Sequence, residues 1–214
     1  MNTIKSKVVC FDSRNGKILD QIDVPALCTT SCTFGGDDLD TLFITSGMNE
    51  DVLYRNNGDG TFTKVTDASN PIVTDLAPST SGVWGDYDND GDLDLFVANN
   101  IGFGNFLYRN EGNGVFVSIQ NDPIVNYTGY SHSASWADYD NDGFLDMFIT
   151  DFFSTKFNKL YHNNGDGTFT EIESSPLVTD ASFSVSAVWG DYDNDRDQDL
   201  FVANTNGENN FLYR

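Results

Sequence analysis

Short apolar runs alternate along most of the chain with segments that are rich in Gly, Asn and Asp. Three of these runs are nearly identical, at residues 95–98, 147–150 and 200–203. A run of about four apolar residues between turn residues is too short for a helix and is typical of a buried strand. The pattern therefore predicts an all-β chain that is built from short strands.

A longer repeat groups these strands into units. The segment Val-Trp-Gly-Asp-Tyr-Asp-Asn-Asp at residues 83–90 returns with small changes at 135–142 and 188–195. A Leu-Tyr-Arg or Leu-Tyr-His segment and a Gly-rich hairpin turn recur at the same interval. Four short antiparallel strands, a to d, in about 50 residues are typical of a β-propeller blade. These Gly-rich hairpin turns are so short that they leave no room for a helix.

The N-terminal third follows the same architecture with a different sequence. Residues 8–24 predict a hairpin around an Asn-Gly turn, and residues 30–34 and 42–45 predict strands a and b. The acidic segment between those two strands, residues 35–40, is shorter than its later counterparts. We expect one propeller domain over residues 1–214, with about four blades, or part of a larger ring.

The order of the predicted strands leaves open sheet edges at both ends of the chain. The chain starts with a hairpin that corresponds to strands c and d, and its last segment, 211–214, corresponds to strand c. Because unpaired strand edges promote association, we predict that the strand at 17–24 joins the last three strands in a composite blade. The alternatives are a larger ring and assembly of the chain with itself.

The net charge of −22 excludes two classes of partner. Nucleic acid and anionic membrane surfaces would both repel such a chain. Many of the acidic residues are concentrated in the first loop (residues 86–94), the second loop (138–146) and the third loop (191–199). Clustered carboxylates repel one another unless a cation lies between them, which points to bound metal.

The spacing of the acids within each loop suits calcium. Asp occupies positions 1, 3, 5 and 9, and a curled loop turns alternate side chains toward one point. Position 7 supplies a further oxygen, and hard oxygen ligands of this number suit Ca²⁺. The predicted ligands are Asp86, Asp88, Asp90, Asp92 and Asp94 in the first loop, Asp138, Asp140, Asp142, Phe144 (through its carbonyl oxygen) and Asp146 in the second, and Asp191, Asp193, Asp195, Asp197 and Asp199 in the third.

Position 6 separates the third loop from the other two. Gly91 and Gly143 permit a backbone angle there that other residues resist. Arg196 takes this place in the third loop and adds a positive charge. We therefore predict two regular calcium sites and a third that is weaker or distorted.

Two family resemblances rest on these motifs. The string Asn-Asn-Gly-Asp-Gly-Thr-Phe at 56–62, with the Trp-Gly-Asp-Tyr-Asp-Asn-Asp-Gly segment after it, resembles FG-GAP/VCBS repeats. These are the calcium-bearing blades of integrin α-subunit propellers, and the match is to the subgroup with the cartilage acidic proteins, over residues 51–214. Residues 1–48 resemble a late blade of the gluconolactonase/regucalcin (senescence marker protein) family. That family's catalytic metal ligands have no counterparts here, and residues 1–50 are expected to form a blade without a calcium loop.

The FG-GAP/VCBS resemblance implies a calcium-binding interaction or adhesion module, extracellular or at the cell surface, whose propeller face binds a protein or glycan. One alternative is a carbohydrate-binding lectin, and another is a propeller enzyme, either a lactonase or a polysaccharide lyase. The sequence has no nucleophile elbow, phosphate loop or HExxH motif, so we predict no catalytic residue and no organic cofactor. Residues 1–7 lack the apolar stretch of a signal peptide, and no apolar run is long enough for a membrane-spanning helix.

Three further sets of residues carry structural expectations. Trp84, Trp136 and Trp189 recur at one place in each unit and are expected to pack between blades rather than to stack on sugars. The residues at the last position of the Leu-Tyr-Arg motif are expected to form structural ion pairs or stacks; they are Arg55, Arg109, His162 and Arg214. Cys10, Cys28 and Cys32 are expected to be buried thiols, with a Cys28–Cys32 disulfide as the alternative.

Overall fold

The described part of the chain forms five antiparallel sheets. The residues that the computed structural model describes are 6–11, 18–24, 28–36, 40–47, 51–59, 61–153 and 157–214. Within each sheet, neighbouring strands are consecutive along the chain, so each pair is joined by a short connection. The predicted all-β architecture is confirmed.

The first sheet is a hairpin of β1 (Ser6–Phe11) and β2 (Ile18–Val24). It confirms the hairpin that the sequence pattern predicts, and its Asn-Gly turn lies outside the described residues. Val24 packs with Leu42 and Ile44 of the following sheet. The hairpin thus covers one apolar face of the sheet that follows it.

The next four sheets are the blades of a β-propeller. Blade 1 consists of β3 (Thr29–Gly35), β4 (Thr41–Ser46), β5 (Val52–Asn56) and β6 (Phe62–Lys64). Blade 2 consists of β7 (Ser79–Gly85), β8 (Asp94–Asn99), β9 (Phe106–Asn110) and β10 (Phe116–Ser118). Blade 3 consists of β11 (Ser131–Ala137), β12 (Asp146–Asp151), β13 (Lys159–Asn163) and β14 (Phe169–Glu171). Blade 4 consists of β15 (Ser184–Gly190), β16 (Asp199–Asn204) and β17 (Phe211–Tyr213).

The second strand of blades 1 to 3 is buried on both faces, as expected for an apolar run in the middle of a stacked sheet. In β8, Leu95 and Val97 pack toward blade 1 with Phe43, whereas Phe96 packs toward blade 3 with Met147. All five side chains are essentially inaccessible to solvent. The core therefore consists of layers between successive blades.

The recurring tryptophans form part of these layers, which confirms their predicted packing role. The Trp136 ring stacks on Tyr87 of blade 2, with centroids 6.2 Å apart and planes 6° apart, and meets the Phe96 ring edge-on. Trp189 makes the equivalent contacts with Tyr139 and with another phenylalanine of blade 3. Each tryptophan thus anchors its own blade to the blade before it.

A short helical turn lies between strand d of each of blades 1 to 3 and strand a of the blade that follows. These turns are Pro71–Val73, Pro123–Asn126 and Pro176–Thr179. Each follows a capping residue, as at Asp122, whose carboxylate accepts a hydrogen bond from the Ile124 backbone at 3.0 Å. A capping residue followed by proline favours such a start.

The predicted composite blade is wrong in this structure. β2 pairs with β1, and β17 is the outer strand of a three-stranded sheet among the described residues. Phe201 and Leu212 of blade 4 are 41% and 50% exposed, while Phe96 and Leu107 at the same places in blade 2 are fully buried beneath blade 3. A local hairpin closes at a lower entropic cost than a pairing across the whole chain.

Cys28 and Cys32 are exposed free thiols, so the expected burial of these two side chains is wrong. No helix among the described residues has the length and apolar character needed to cross a membrane.

Candidate metal centres

The first loop is held by hydrogen bonds from its own backbone to its first aspartate. The Asp86 carboxylate accepts from the backbone N–H groups of Asp90 and Gly91, both at 3.1 Å, and Asp90 accepts from the N–H of Asp92 at 2.9 Å. Asn89 and Gly91 take the positive φ angles of +59° and +98° that this tight curl requires. The aspartate at position 1 therefore holds the loop in its curled shape, in addition to being a candidate metal ligand.

The second loop repeats this geometry. The carboxylate of Asp138 accepts from the N–H groups of Asp142 and Gly143 at 2.9 and 3.0 Å. Asp142 in turn accepts from the N–H of Phe144 at 2.9 Å. The backbone path is thus set by the aspartates at positions 1 and 5.

The third loop keeps the same path despite its substitution at position 6. Asp191 accepts from the N–H groups of Asp195 and Arg196 at 3.1 Å, and Asp195 accepts from Asp197 at 3.0 Å. Arg196 takes a φ of +80°, the left-handed region that favours glycine. The backbone hydrogen bonds of the loop are thus kept, and a weaker or distorted metal site at this loop stays a prediction.

The aspartate at position 9 is buried and anchors each loop to its own blade. Asp94 is inaccessible to solvent and accepts from the backbone N–H groups of Tyr87 at 3.1 Å and Asn110 at 2.8 Å. Asp146 has the equivalent partners in blade 3. Burial raises the pKa of Asp94 to about 7 and the pKa of Asp146 to about 6. These carboxylates are therefore costly to ionise unless a cation compensates them.

The loops bring most of the predicted ligands together. In each group, one ligand atom from every side chain lies within 4.8 Å of the others. The groups are Asp86–Asp88–Asp90, Asp138–Asp140–Asp142, Asp140–Asp146–His162 and Asp191–Asp193–Asp199. The predicted ligands in the same loops but outside these groups are Asp92, Asp94, Asp195 and Asp197, together with Phe144, which was predicted to bind only through its backbone.

The first loop contains a buried oxygen that fits a cation. The Oδ1 atom of Asp88 is buried and accepts no hydrogen bond from any described residue. Burial, with the nearby charges of Asp90 and Asp86, raises the pKa of Asp88. A buried carboxylate oxygen without a donor, beside two more carboxylates, is unfavourable on its own and favourable around a metal ion. The donor set is therefore one that can hold a metal.

Two of the arginines at the shared position of strand c pair with acids, one of the two outcomes that were expected there. Arg109 forms an ion pair with Glu111 at 2.5 Å, and Arg214 approaches Asp193 of the third loop at 3.4 Å. Arg55 of blade 1 forms no ion pair with a described residue. His162 lies within the carboxylate cluster of the second loop. The sequence analysis did not predict this role, although it showed that His162 takes a position that is arginine in the other three repeats.

Hydrogen bonds connect each loop to the next. The side-chain amide of Asn89 donates to the carbonyl oxygen of Gly143 at 3.0 Å, and Asn141 donates to a carboxylate oxygen of Asp197 at 3.4 Å. The three loops thus form one continuous acidic row at one end of blades 2 to 4. The corresponding loop of blade 1 includes residues 37–39, which lie outside the described residues.

A groove of about 470 Å³ lies on the surface where blades 1 and 2 meet. Its lining includes the cationic side chains of Arg55 and Lys64, the amide of Asn113 and the ring of Phe116. Cationic, amide and aromatic groups together can contact a polar ligand. The groove lies outside the three acidic loops.

Known families match nearly the whole chain. The profile described as FG-GAP-like repeat matches residues 34–97, 86–149 and 148–202. The profile described as SMP-30/Gluconolactonase/LRE-like region matches residues 2–48. The two matches overlap within blade 1. A search of the curated proteins found no match.

Among solved structures, a lectin of Agrocybe aegerita has a similar fold. That lectin is described as specifically recognising non-reducing terminal N-acetylglucosamine. It is 19% identical over 85% of this chain, with a TM-score of 0.54. Since the match covers 51% of the lectin, this chain spans about half the length of that protein. At this identity, the similarity shows a shared propeller fold.

Proposed function

The chain belongs to the FG-GAP-like repeat family, and on that premise we propose that it is a calcium-binding β-propeller that serves as an interaction module. The observation that carries the proposal is the convergence of three aspartates in the first loop around the buried Asp88 Oδ1, which has no hydrogen-bond donor among the described residues. Each acidic loop would hold one Ca²⁺ ion.

Calcium suits these loops better than magnesium. Ca²⁺ accepts six to eight oxygen ligands at irregular angles, whereas Mg²⁺ requires a stricter octahedron. Asp86, Asp88 and Asp90 would hold the ion in the first loop, and Asp138, Asp140 and Asp142 in the second. When bound, the ion supplies positive charge that offsets the mutual repulsion of the carboxylates.

The third loop would bind calcium more weakly. Arg196 adds a positive charge within the loop, and the Arg214 guanidinium lies 3.4 Å from Asp193. Both charges oppose a cation. Its candidate ligands Asp191 and Asp193 are also exposed, so their interaction with an ion is screened by water.

Calcium in these loops would strengthen the contacts between blades. Position 2 of the first loop is Tyr87, whose ring stacks on Trp136 of the next blade. Tyr139 of the second loop stacks on Trp189 in the same way. An ordered loop therefore holds the ring against which the next blade packs. We infer that calcium stabilises the stack of blades rather than a single loop.

The thermal stability of the protein tests this proposal. Ca²⁺ that binds only the native state raises the melting temperature by mass action. We expect EDTA to lower the melting temperature of the calcium-loaded protein and added Ca²⁺ to restore it. The same melting temperature in EDTA and in excess Ca²⁺ would contradict a calcium-stabilised propeller.

An extracellular or cell-surface location fits this proposal. Calcium sites of extracellular modules bind with dissociation constants of about 10⁻⁴ to 10⁻³ M. The carboxylates of Asp86 and Asp138 already accept hydrogen bonds from the backbone of their own loops. We therefore expect these exposed loops to bind calcium with affinities in that range. Such sites fill where calcium is abundant.

The second candidate function is glycan binding. The groove between blades 1 and 2 provides Arg55, Lys64 and an aromatic ring in one open surface. A glycan array that includes glycans ending in N-acetylglucosamine, probed with and without EDTA, tests this candidate. Binding that Arg55→Ala abolishes would support a lectin, and no binding to any glycan would favour a protein ligand. A lactone-hydrolysis assay tests the enzyme alternative that the match at residues 2–48 suggests.

A further inference from the structure

Strand c of blade 3 presents a side chain to its acidic loop that the neighbouring blades do not. His162 lies in β13 at the place that Arg109 takes in blade 2 and Arg214 takes in blade 4. A guanidinium has five N–H donors and no free lone pair, so arginine at this place can pair with carboxylates but cannot bind a metal. A neutral imidazole can do so through a ring nitrogen.

The His162 ring points into the carboxylates of the second loop. Its Nδ1 atom lies 3.3 Å from Asp140 Oδ2 and 3.2 Å from Asp146 Oδ1. Nδ1 is buried and forms no hydrogen bond with any described residue. The Asp146 carboxylate is 1% exposed, while the His162 side chain is 28% exposed. One nitrogen and two carboxylate oxygens thus lie within 4.8 Å of one another, in a cluster that is partly open to solvent on the His162 side.

These separations match the ligand shell of a small divalent ion. Zn²⁺ binds imidazole nitrogen at about 2.0–2.1 Å and carboxylate oxygen at about 2.0–2.2 Å, so tetrahedral ligands lie roughly 3.3–3.5 Å apart. The two distances at Nδ1 are close to that edge length. Imidazole is a good ligand for Zn²⁺ and similar transition metals, whereas Ca²⁺ takes oxygen ligands.

We propose that the second loop, unlike the first and third, binds a borderline divalent metal such as Zn²⁺ through Asp140, Asp146 and His162. The fourth position is open to water on the exposed side of the ring. Asp140 also belongs to the group of Asp138 and Asp142. Zn²⁺ and Ca²⁺ therefore compete for the second loop. The inference rests on the proposed function of the loops as cation sites.

Isothermal titration with Zn²⁺ tests the inference on tag-free protein in which the exposed Cys28 and Cys32 are replaced by serine, so that their thiols cannot bind the metal. The test variant is His162→Arg, which places in blade 3 the residue that blades 2 and 4 carry there and is expected to fold. The matched control is His132→Gln, since His132 is the other histidine of the chain and its Nδ1 pairs with the Val185 carbonyl at 2.8 Å.

We expect one Zn²⁺ site in the parent protein and in His132→Gln. His162→Arg should weaken that site by at least about tenfold, because loss of a direct ligand exceeds the 10–100-fold effect of an outer-shell partner. Absence of Zn²⁺ binding in the parent, or equal Zn²⁺ affinity in His162→Arg, would overturn the inference and leave His162 as an ion-pair partner only. A Ca²⁺ titration of the same variants separates this result from the proposed function, because the first loop should bind Ca²⁺ in each of them.

Discussion

Asn89 of the first loop donates a hydrogen bond through its side-chain amide to the carbonyl oxygen of Gly143 in the second loop, 3.0 Å away. Asn89 lies between Asp88 and Asp90, and Gly143 follows Asp142. The bond therefore connects the candidate ligands of two loops that are 52 residues apart in the repeat. The first loop is thus tied directly to the second.

The contact between the loops predicts an effect of Asn89→Gly on stability. Glycine keeps the positive φ of this position and removes the amide donor, so we expect a loss of about 1 kcal/mol in the free energy of unfolding, measured with urea. Asn194→Gly is the matched control, because Asn194 takes the same place and a φ of +63° in the third loop. Equal effects of the two substitutions would show that the Asn89–Gly143 bond contributes nothing.

The tight packing between blades predicts that Gly85→Ala destabilises the protein. A Cβ atom at Gly85 would lie 2.7 Å from Trp136 Cδ1, so the ring has to shift. We expect a loss of about 1–3 kcal/mol in urea unfolding, as is typical of overpacking. Gly190→Ala, at the same place in blade 4, meets no atom within 4 Å and should change stability by less than about 0.5 kcal/mol. If Gly85→Ala left the free energy of unfolding unchanged, the Trp136 ring would be able to move aside at little cost.

The charge of Asp88 predicts opposite effects of Asp88→Asn with and without calcium. In EDTA the substitution removes a partly buried charge beside Asp86 and Asp90, so the melting temperature should rise. In excess Ca²⁺ it removes a ligand, so the increase caused by calcium should shrink. Asp59→Asn is the control, since Asp59 lies in an exposed turn and accepts hydrogen bonds from Thr61. If Asp88→Asn lowered the melting temperature equally in EDTA and in calcium, Asp88 would have a structural role only.

Asp51 predicts how the stability of the calcium-free protein depends on pH. Its carboxylate accepts from the Ser46 N–H and the Ser79 hydroxyl, both at 2.6 Å, and burial raises its pKa from 3.8 to about 6. The native state therefore holds a proton that the unfolded chain has released between about pH 4 and 6. Stability should fall as the pH rises through that window.

The raised pKa values of Asp94 and Asp146 act in the same direction. Asp51→Asn should therefore make the decline between pH 4 and 7 shallower without abolishing it. Urea unfolding in EDTA at several pH values measures the slope. An unchanged slope in Asp51→Asn would contradict the raised pKa of Asp51.

Periodicity explains why the strands could be predicted. Every strand of blades 2 and 3 recurs with the same spacing, and strand pairing within a blade is local in sequence. The segment at 95–98, for example, lies within β8 (Asp94–Asn99). The ends of the acidic loops follow from the same register, because Gly85 pairs with Asp94 and Ala137 pairs with Asp146.

The packing of the recurring tryptophans between blades was predictable, but the polar contacts that join the loops to one another and to the strands were not. The Asn89–Gly143 bond and the position of His162 within the second loop depend on how strands and blades approach one another, which no local pattern encodes. The composite blade was wrong for a related reason: an open edge shows that a strand lacks a partner, but not which partner is favoured. β2 pairs with the neighbouring β1, and Val24 at the end of β2 packs against Leu42 of blade 1.

Calorimetric titration of metal-free protein with Ca²⁺ tests the central claim most directly. We expect saturable binding of at least two ions per chain, with dissociation constants of about 10⁻⁴ to 10⁻³ M for the first and second loops and weaker binding at the third. Asp88→Asn and Asp140→Asn should each remove one of the two stronger sites, and Asp59→Asn should remove neither. Absence of binding, or a single ion per chain, would contradict the assignment of these loops as calcium sites.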